Sequence, residues 1–271
     1  MKTTPKPFRL SASKMDAWMK CPLAAKFQYV DRLPRKMNSA ATFGVCIHHA
    51  LKVYNDNDDL EQAIHAFETT WSNPEQLDAV PDTWNKRQTF GGMRERGVNI
   101  LREYHESLKW EVREVVATEH EFLVPFGEFE LHGFIDLVEI RKNERGVEEL
   151  KVIDYKTNSA APKVSALPFN VQFTTYVFAA LQPEFWLSLP KAVWQRAHTL
   201  PVRGYWHQLN GGREYHVGVR DDDDFMRLYR VAREIQNAVD SGVYVPNISG
   251  DSCGFCSFHE PCGLPIPKTD E

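Results

Sequence analysis

Gly133-Phe134-Ile135-Asp136-Leu137-Val138-Glu139-Ile140 is followed, beyond a charged stretch, by Leu150-Lys151-Val152-Ile153-Asp154-Tyr155-Lys156-Thr157, and this pair decides how the chain is read. Both runs are mostly β-branched or apolar, the texture of buried strands. Each nonetheless carries an acid among its apolar neighbours, and the second carries a lysine two places further on. An unpaired buried carboxylate is costly, so these acids should be paired or should bind metal. Arg141 to Glu149 is charged and contains Gly146, which predicts a hairpin connection. Side chains alternate along a strand, so Asp154 and Lys156 share a face while Tyr155 points away. Pairing the strands can then bring Asp136 beside Asp154 and Lys156, a metal site with an adjacent cation.

Working outward, Val115 to Pro125 has strand periodicity and leads through a turn at Gly127 and Phe129 to Leu131 into the first run, an antiparallel meander. Glu119 and Glu121 share one face of it, and either could join the carboxylates. On the other side, a Ser/Ala/Pro loop from Asn158 to Pro168 precedes a predicted helix from Phe169 to Leu181, on which Gln172 and Tyr176 lie four apart and can reach one target. Thr199 to Val219 reads as a hairpin turned at Asn210-Gly211-Gly212. Asp221 to Asp224 suit the N-terminus of a helix running from Phe225 to Val239 better than a metal site.

The first 110 residues read as helical. Ser13 is expected to cap a short helix bearing Met15, Trp18 and Met19, broken at Cys21-Pro22 and resumed through Phe27 and Tyr29. Thr42 to Tyr54 reads as a helix opening after Gly44, with one of His48 and His49 facing inward. Leu60 to Trp71 and Trp84 to Trp110 read as two further amphipathic helices.

A chain of 271 residues with 42% hydrophobic and 12% aromatic content can bury a sizeable core. No apolar run approaches the roughly 20 residues that span a bilayer, and Met1 to Leu10 lacks a signal-peptide core, so a cytoplasmic protein is expected. The net charge of -5 carries no global signature of nucleic-acid binding, yet residues 1 to 36 hold nine Lys/Arg against Asp16 and Asp31. Such a basic lobe could meet a phosphate backbone. No internal repeat and no phosphate-binding loop of the Gly-rich Lys-Ser/Thr type is present.

Four of the five cysteines form one distant thiol, Cys21, plus a C-x2-C-x5-C group of Cys253, Cys256 and Cys262. In a cytosolic protein this spacing argues for metal rather than disulfides, and zinc or an iron–sulfur cluster both suit four thiolates. Cys46, beside the helix histidines, reads as core.

Taken in order, these residues resemble the RecB-like nucleases of the PD-(D/E)xK superfamily, most closely the Cas4-like and AddB-nuclease branch that carries an iron–sulfur cluster. Leu10-Ser-Ala-Ser-Lys with Cys21-Pro22 is similar to its N-terminal cluster motif, Gly44 to His48 to its G-x-x-x-H motif, Gly133 to Asp136 and Asp154 to Thr157 to its catalytic motifs, and Gln172 to Tyr176 to its Q-x-x-x-Y motif. Ile135 stands where the family name has proline. The resemblance implies an α/β (α+β) restriction-endonuclease-like core, a mixed and largely antiparallel sheet flanked by helices. One nuclease domain over 1–271 is expected, with a helical region at 1–110, the sheet at 111–220 and a C-terminal helix and cysteine segment at 221–271. It implies a Mg2+- or Mn2+-dependent deoxyribonuclease, an exonuclease acting on single strands or duplex ends, with helicase or recombination proteins as partners. Asp136 and Asp154 would be primary metal ligands, joined by His48 and the Tyr155 carbonyl, with Glu119 or Glu121 as an upstream acid. Lys156 would orient or help deprotonate the attacking water, and Gln172 and Tyr176 would position the scissile strand or brace the site. Cys21, Cys253, Cys256 and Cys262 would hold a 4Fe-4S cluster, with zinc the alternative. A non-cutting DNA-binding scaffold and a structure-specific endonuclease are the competing readings.

Overall fold

The computed structural model of the chain describes residues 7–249, 253, 254 and 256–264. Six strands form one mixed sheet: β1 (Phe8–Leu10), β2 (Arg113–Phe126), β3 (Phe129–Lys142), β4 (Glu148–Lys156), β5 (Val202–Gln208) and β6 (Arg213–His216). Their order is β1-β3-β4-β5-β6, with β2 on the other edge of β3. The β2–β3, β3–β4 and β5–β6 pairs are antiparallel, as hairpins joined by short turns must be, while β1–β3 and β4–β5 are parallel. The mixed, largely antiparallel sheet expected from the sequence is therefore present.

Helices cover both faces of the sheet. Toward one face Leu131, Ile135, Val152 and Phe122 pack with Met15 and Trp18 of α1 (Ala12–Lys20), Ala25 of α2 (Pro22–Tyr29), Phe173 and Val177 of α6 (Val171–Ala180) and Leu228 and Ile235 of α8 (Asp222–Ser241). Toward the other, Leu137, Ile153 and Tyr155 pack against Phe43 and Ile47 of α3 (Ser39–Asn57), Phe67 of α4 (Leu60–Ser72) and Leu101 and Tyr104 of α5 (Phe90–Leu108). Burying apolar surface on both sides explains why the central strands read as nearly continuous hydrophobic runs. Two shorter α-helices, α7 (Lys191–Ala197) and α9 (His259–Cys262), and three 3-10 turns at Pro74–Leu77, Val164–Phe169 and Pro183–Trp186 are also described.

Several local boundaries differ from the sequence reading. Ser11, not Ser13, caps α1, its hydroxyl accepting from Lys14 N. Asn38 opens α3 well before Gly44, because its side chain accepts from Ala41 N and nothing after it interrupts the helix. The helix expected from Trp84 begins only at Phe90, capped by Thr89, and the one expected from Phe169 begins at Val171, capped by Asn170. The region taken as wholly helical also contains β1, whose three residues pair with Phe129–Leu131. Asp221 and Asp224 form a reciprocal capping box at α8, as the acidic run predicts. Lys2 and Lys6 of the basic lobe lie outside the described residues; Arg9, Lys20 and Lys26 pair with Glu130, Asp16 and Asp31, so these three cations are already matched locally.

One feature of the sheet places the site. On one edge of β3, β1 pairs only with Phe129–Leu131 and β4 only from Leu137 onward. His132 to Asp136 therefore form a gap with no strand on that side, and β4 runs on past it to Lys156 alongside β5.

Candidate active site

Asp136 sits at the end of that gap. Where β3 stops pairing with β4, the Tyr155 amide would lack a ladder partner, and the Asp136 carboxylate takes it, accepting from Tyr155 N at 2.6 Å. The other Asp136 oxygen lies 3.3 Å from His48 Nδ1. His48 reaches down from α3, and its Nε2 is 3.1 Å from the Tyr155 carbonyl. The backbone N–H and C=O of Tyr155 thus hold a carboxylate and an imidazole that also face each other. The glycine that opens this segment has a steric reason: a Cβ on Gly133 would stand 2.8 Å from the Phe122 ring packed beneath it.

Glu119 completes this half of the site. Its carboxylate is 3.8 Å from His48 Nδ1, and one ligand atom each from His48, Glu119 and Asp136 lie within 4.8 Å of one another. Its backbone is left-handed, with φ 45°, a conformation costing a non-glycine residue roughly 1–2 kcal/mol. Strain of this kind collects at functional sites. Glu121, the other sequence candidate, instead pairs with His132 at 2.8 Å. The upstream acid beside His48 is therefore Glu119.

The second half is built on β4 and α6. Asp154 and Lys156 share a face, with Lys156 Nζ 2.5 Å from Asp154 Oδ2. Gln172 donates to Asp154 Oδ1 at 2.6 Å and to the Tyr176 hydroxyl at 2.9 Å, and accepts from Lys156 at 3.1 Å. Tyr176 is buried in the core beside Phe122, so its ring is not free to stack on a ligand. Tyr155 sends its side chain to the opposite face, as alternation requires, where its hydroxyl meets those of Tyr104 at 2.5 Å and the amide of Asn55 at 3.1 Å.

Sequence reasoning missed this Tyr155–Tyr104–Asn55 group. Its one signal is Asn55 itself, a polar residue seven places after His48 on the inward face of α3. Arg96 was missed as well; from α5 it donates to the Thr157 carbonyl at 2.5 Å, beside the end of β4.

Electrostatics mark the site as crowded with negative charge. Burial would lower the His48 imidazole, but Asp136 overrides it, with help from Asp154 and Glu119, and pushes it up to about 9. Burial and then the Asp136 charge raise Glu119 to about 7. Burial raises Asp154 to about 6 even against Lys156. Three carboxylates and one backbone carbonyl are hard donors of the kind that Mg2+ and Mn2+ select, beside one borderline imidazole, and a divalent cation would offset the repulsion among the acids. The residues present fit such an ion.

The cysteines converge at the opposite end of α1. Asn247 N donates to Cys21 Sγ at 3.4 Å, and its carbonyl faces Cys253 Sγ at 3.8 Å. Cys256 lines the same cavity of about 430 Å3 as Cys21, and Cys262 lies in α9, whose Phe258 cap packs on Phe27. All four are partly exposed and free, whereas Cys46 is buried in the α3–α5 core. Cys21 and Cys256 thus share one cavity and Asn247 links Cys21 to Cys253, but no three of the four sulfurs lie within 4.8 Å of one another.

A family model described as “PD-(D/E)XK nuclease superfamily” matches residues 9–263, which takes in every residue of the site and all four of these cysteines. The crystal structure of a “Putative exonuclease” from Eubacterium rectale aligns with a TM-score of 0.52 at 13% identity, covering 100% of this chain and 97% of that one, a likeness of fold. The crystal structure of SSO0001 aligns over 93% of this chain and 94% of that one at 14% identity, with a TM-score of 0.32. No curated protein matches the chain.

Proposed function

The chain belongs to the PD-(D/E)XK nuclease superfamily, and from that premise we propose that it is a Mg2+- or Mn2+-dependent DNA exonuclease of the RecB-like, Cas4-like branch. The observation that carries this reading is the convergence of His48, Glu119, Asp136 and the Tyr155 carbonyl with Asp154, Lys156 and Gln172 in the gap of β3. The family match over 9–263 supports treating the chain as one nuclease domain. No described helix is long and apolar enough to cross a membrane. We propose that it works on DNA in the cytoplasm, beside a helicase or recombination protein.

Asp136, Asp154, Glu119, His48 and the Tyr155 carbonyl would hold the ion. When bound, it supplies charge neutralisation at the phosphate and acidifies water. Lys156 projects an ammonium into the same space and stabilises negative charge developing on the phosphate, or takes part in orienting the water. Gln172 fixes both Asp154 and Lys156 and is itself held by Tyr176, so this pair braces the site. His48, locked between Asp136 and the Tyr155 carbonyl, keeps its ring orientation before substrate arrives.

DNA labelled at its 5′ or 3′ end, single- or double-stranded, is expected to be shortened from an end in Mg2+ or Mn2+. Absence of products from all of these substrates in both metals would overturn the reading. Because His48, Glu119 and Asp154 are raised to about 9, 7 and 6, a cation must displace their protons at lower pH. The metal concentration giving half-maximal cleavage should therefore fall as pH rises from about 5.5 to 7.5, roughly tenfold per unit for each proton released. A flat requirement across that window would show that these acids do not face the ion.

We infer likewise that Cys21, Cys253, Cys256 and Cys262 hold a 4Fe-4S cluster, supported by the cavity that Cys21 and Cys256 share and by Asn247, which touches both Cys21 and Cys253. Protein purified without oxygen should be brown, with iron and sulfide in equal amounts. Colourless protein with one zinc per chain would replace the cluster by a zinc site.

A further inference from the structure

Among the residues of β3 from Phe129 to Arg141, Phe134 alone is exposed, at 47%. Its neighbours Gly133 and Ile135 face the packed side, where Ile135 is fully buried. Phe134 belongs to the segment that ends in Asp136, and nothing in the site described above uses it. Nor does core packing: its ring touches His132 edge-on, with centroids 5.6 Å apart at 78°, and His132 is held in turn by Glu121 at 2.8 Å. His132 thus braces a ring that leaves about half of its surface open. It lies across the ladder from the exposed Glu121, and the exposed Leu123 opposes the half-buried His132, so this half of the β2–β3 ribbon presents an open face beside the site.

We propose that Phe134 is a stacking platform for one unpaired base of the nucleic-acid strand whose phosphate is cleaved at Asp136, an inference that rests on the nuclease reading and specifies its substrate class. Phe134 and Asp136 are two residues apart on one strand, about 6.8 Å, and Phe134 lies across the ladder from Glu121, two residues from Glu119, whose carboxylate stands with Asp136 and His48. A base on the ring and a phosphate at the carboxylate then belong to the same or to neighbouring nucleotides. Aromatic side chains take any base, because every base has a π-face. Bases inside an intact duplex are already stacked, so the ring adds binding only for a single strand or a frayed end. The platform therefore selects unpaired DNA without reading its sequence.

The test compares wild type with Phe134→Ala and Phe134→Trp. Binding of a short labelled single-stranded oligonucleotide is followed by anisotropy with Ca2+ as the cation, and cleavage kinetics with Mg2+. Phe134→Ala is expected to weaken single-strand binding roughly tenfold and raise KM comparably, with kcat within about twofold. Phe134→Trp restores both, and blunt duplex binding is the same in all three proteins. An exposed side chain leaves the unfolding midpoint unchanged, which checks the fold. Single-strand binding by Phe134→Ala equal to wild type, or an equal loss on duplex, overturns the stacking role alone. A wild-type protein that neither binds nor cuts any of these substrates overturns the nuclease reading with it.

Discussion

Replacing Lys156 with alanine is expected to reduce cleavage roughly 10²- to 10⁴-fold while leaving metal binding in place. The ammonium is 2.5 Å from Asp154 and 3.1 Å from Gln172, and it sits over the Trp206 ring at 5.2 Å, so its position is fixed from three sides. Among the described residues, no other cation bonds to Asp154 or Gln172. Asp154 retains its hydrogen bond from Gln172, and the His48, Glu119 and Asp136 group does not involve the lysine, so the fold and the metal ligands survive the change. Lys156→Arg should not rescue activity, because a planar guanidinium cannot occupy the place of a compact ammonium wedged between a carboxylate and an amide. Asp154→Ala should be as damaging, but through loss of metal affinity as well as rate. Measuring kcat alongside Mn2+ affinity by calorimetry separates the two, and cleavage by Lys156→Ala within tenfold of wild type would remove the lysine from the chemistry.

Glu139→Ala should produce the largest loss of stability, about 3–5 kcal/mol. Glu139 is fully buried between Arg141 at 2.9 Å and Arg113 at 3.4 Å. Arg141 also meets Glu214 at 2.5 Å, and Glu214 takes Lys151 at 2.8 Å and His207 at 3.3 Å. Removing Glu139 leaves Arg113, itself partly buried, with no carboxylate partner among the described residues. The Glu214 pairing keeps Arg141 partly compensated, which favours the lower end of the range. Burial would raise the Glu214 carboxyl, but the His207 hydrogen bond, Lys151 and Arg141 together hold it well below the usual range. Its contribution is therefore complete above about pH 4.5 and fades as pH falls through the depressed folded value. Urea unfolding at neutral pH reads the effect as a lower midpoint at constant slope. A loss under 1 kcal/mol would mean that this network specifies the packing without stabilising it.

The network and the site are physically continuous. Arg113 donates to Asn55 at 2.7 Å, and Asn55 bonds the hydroxyl of Tyr155, whose backbone holds Asp136 and His48 on the other side of the strand. This link could not be read in the sequence, because Asn55, Tyr104, Arg113 and Glu139 come from four elements and each resembles ordinary helix or strand material. What could be read was local. Alternation placed Asp154 and Lys156 together and Tyr155 apart, and apolar runs interrupted by acids announced the β3–β4 hairpin. The choice between Glu119 and Glu121 was beyond the pattern, since alternation puts them on one face. A left-handed backbone at one and a histidine partner for the other separate them. The strand β1 escaped for a related reason: three residues after prolines carry no periodic signal, and their parallel pairing depends on a segment more than a hundred residues away.

The gap in β3 also limits how this segment can change over time. It is anchored at Leu131 by β1 and at Leu137 by β4, so its length is set from both ends. One residue inserted or deleted between those anchors would turn Asp136 to the opposite face and put an apolar side chain in its place. Letters in Gly133-Phe-Ile-Asp136 can drift within steric bounds, but the interval cannot, and related chains should show substitutions there without insertions or deletions.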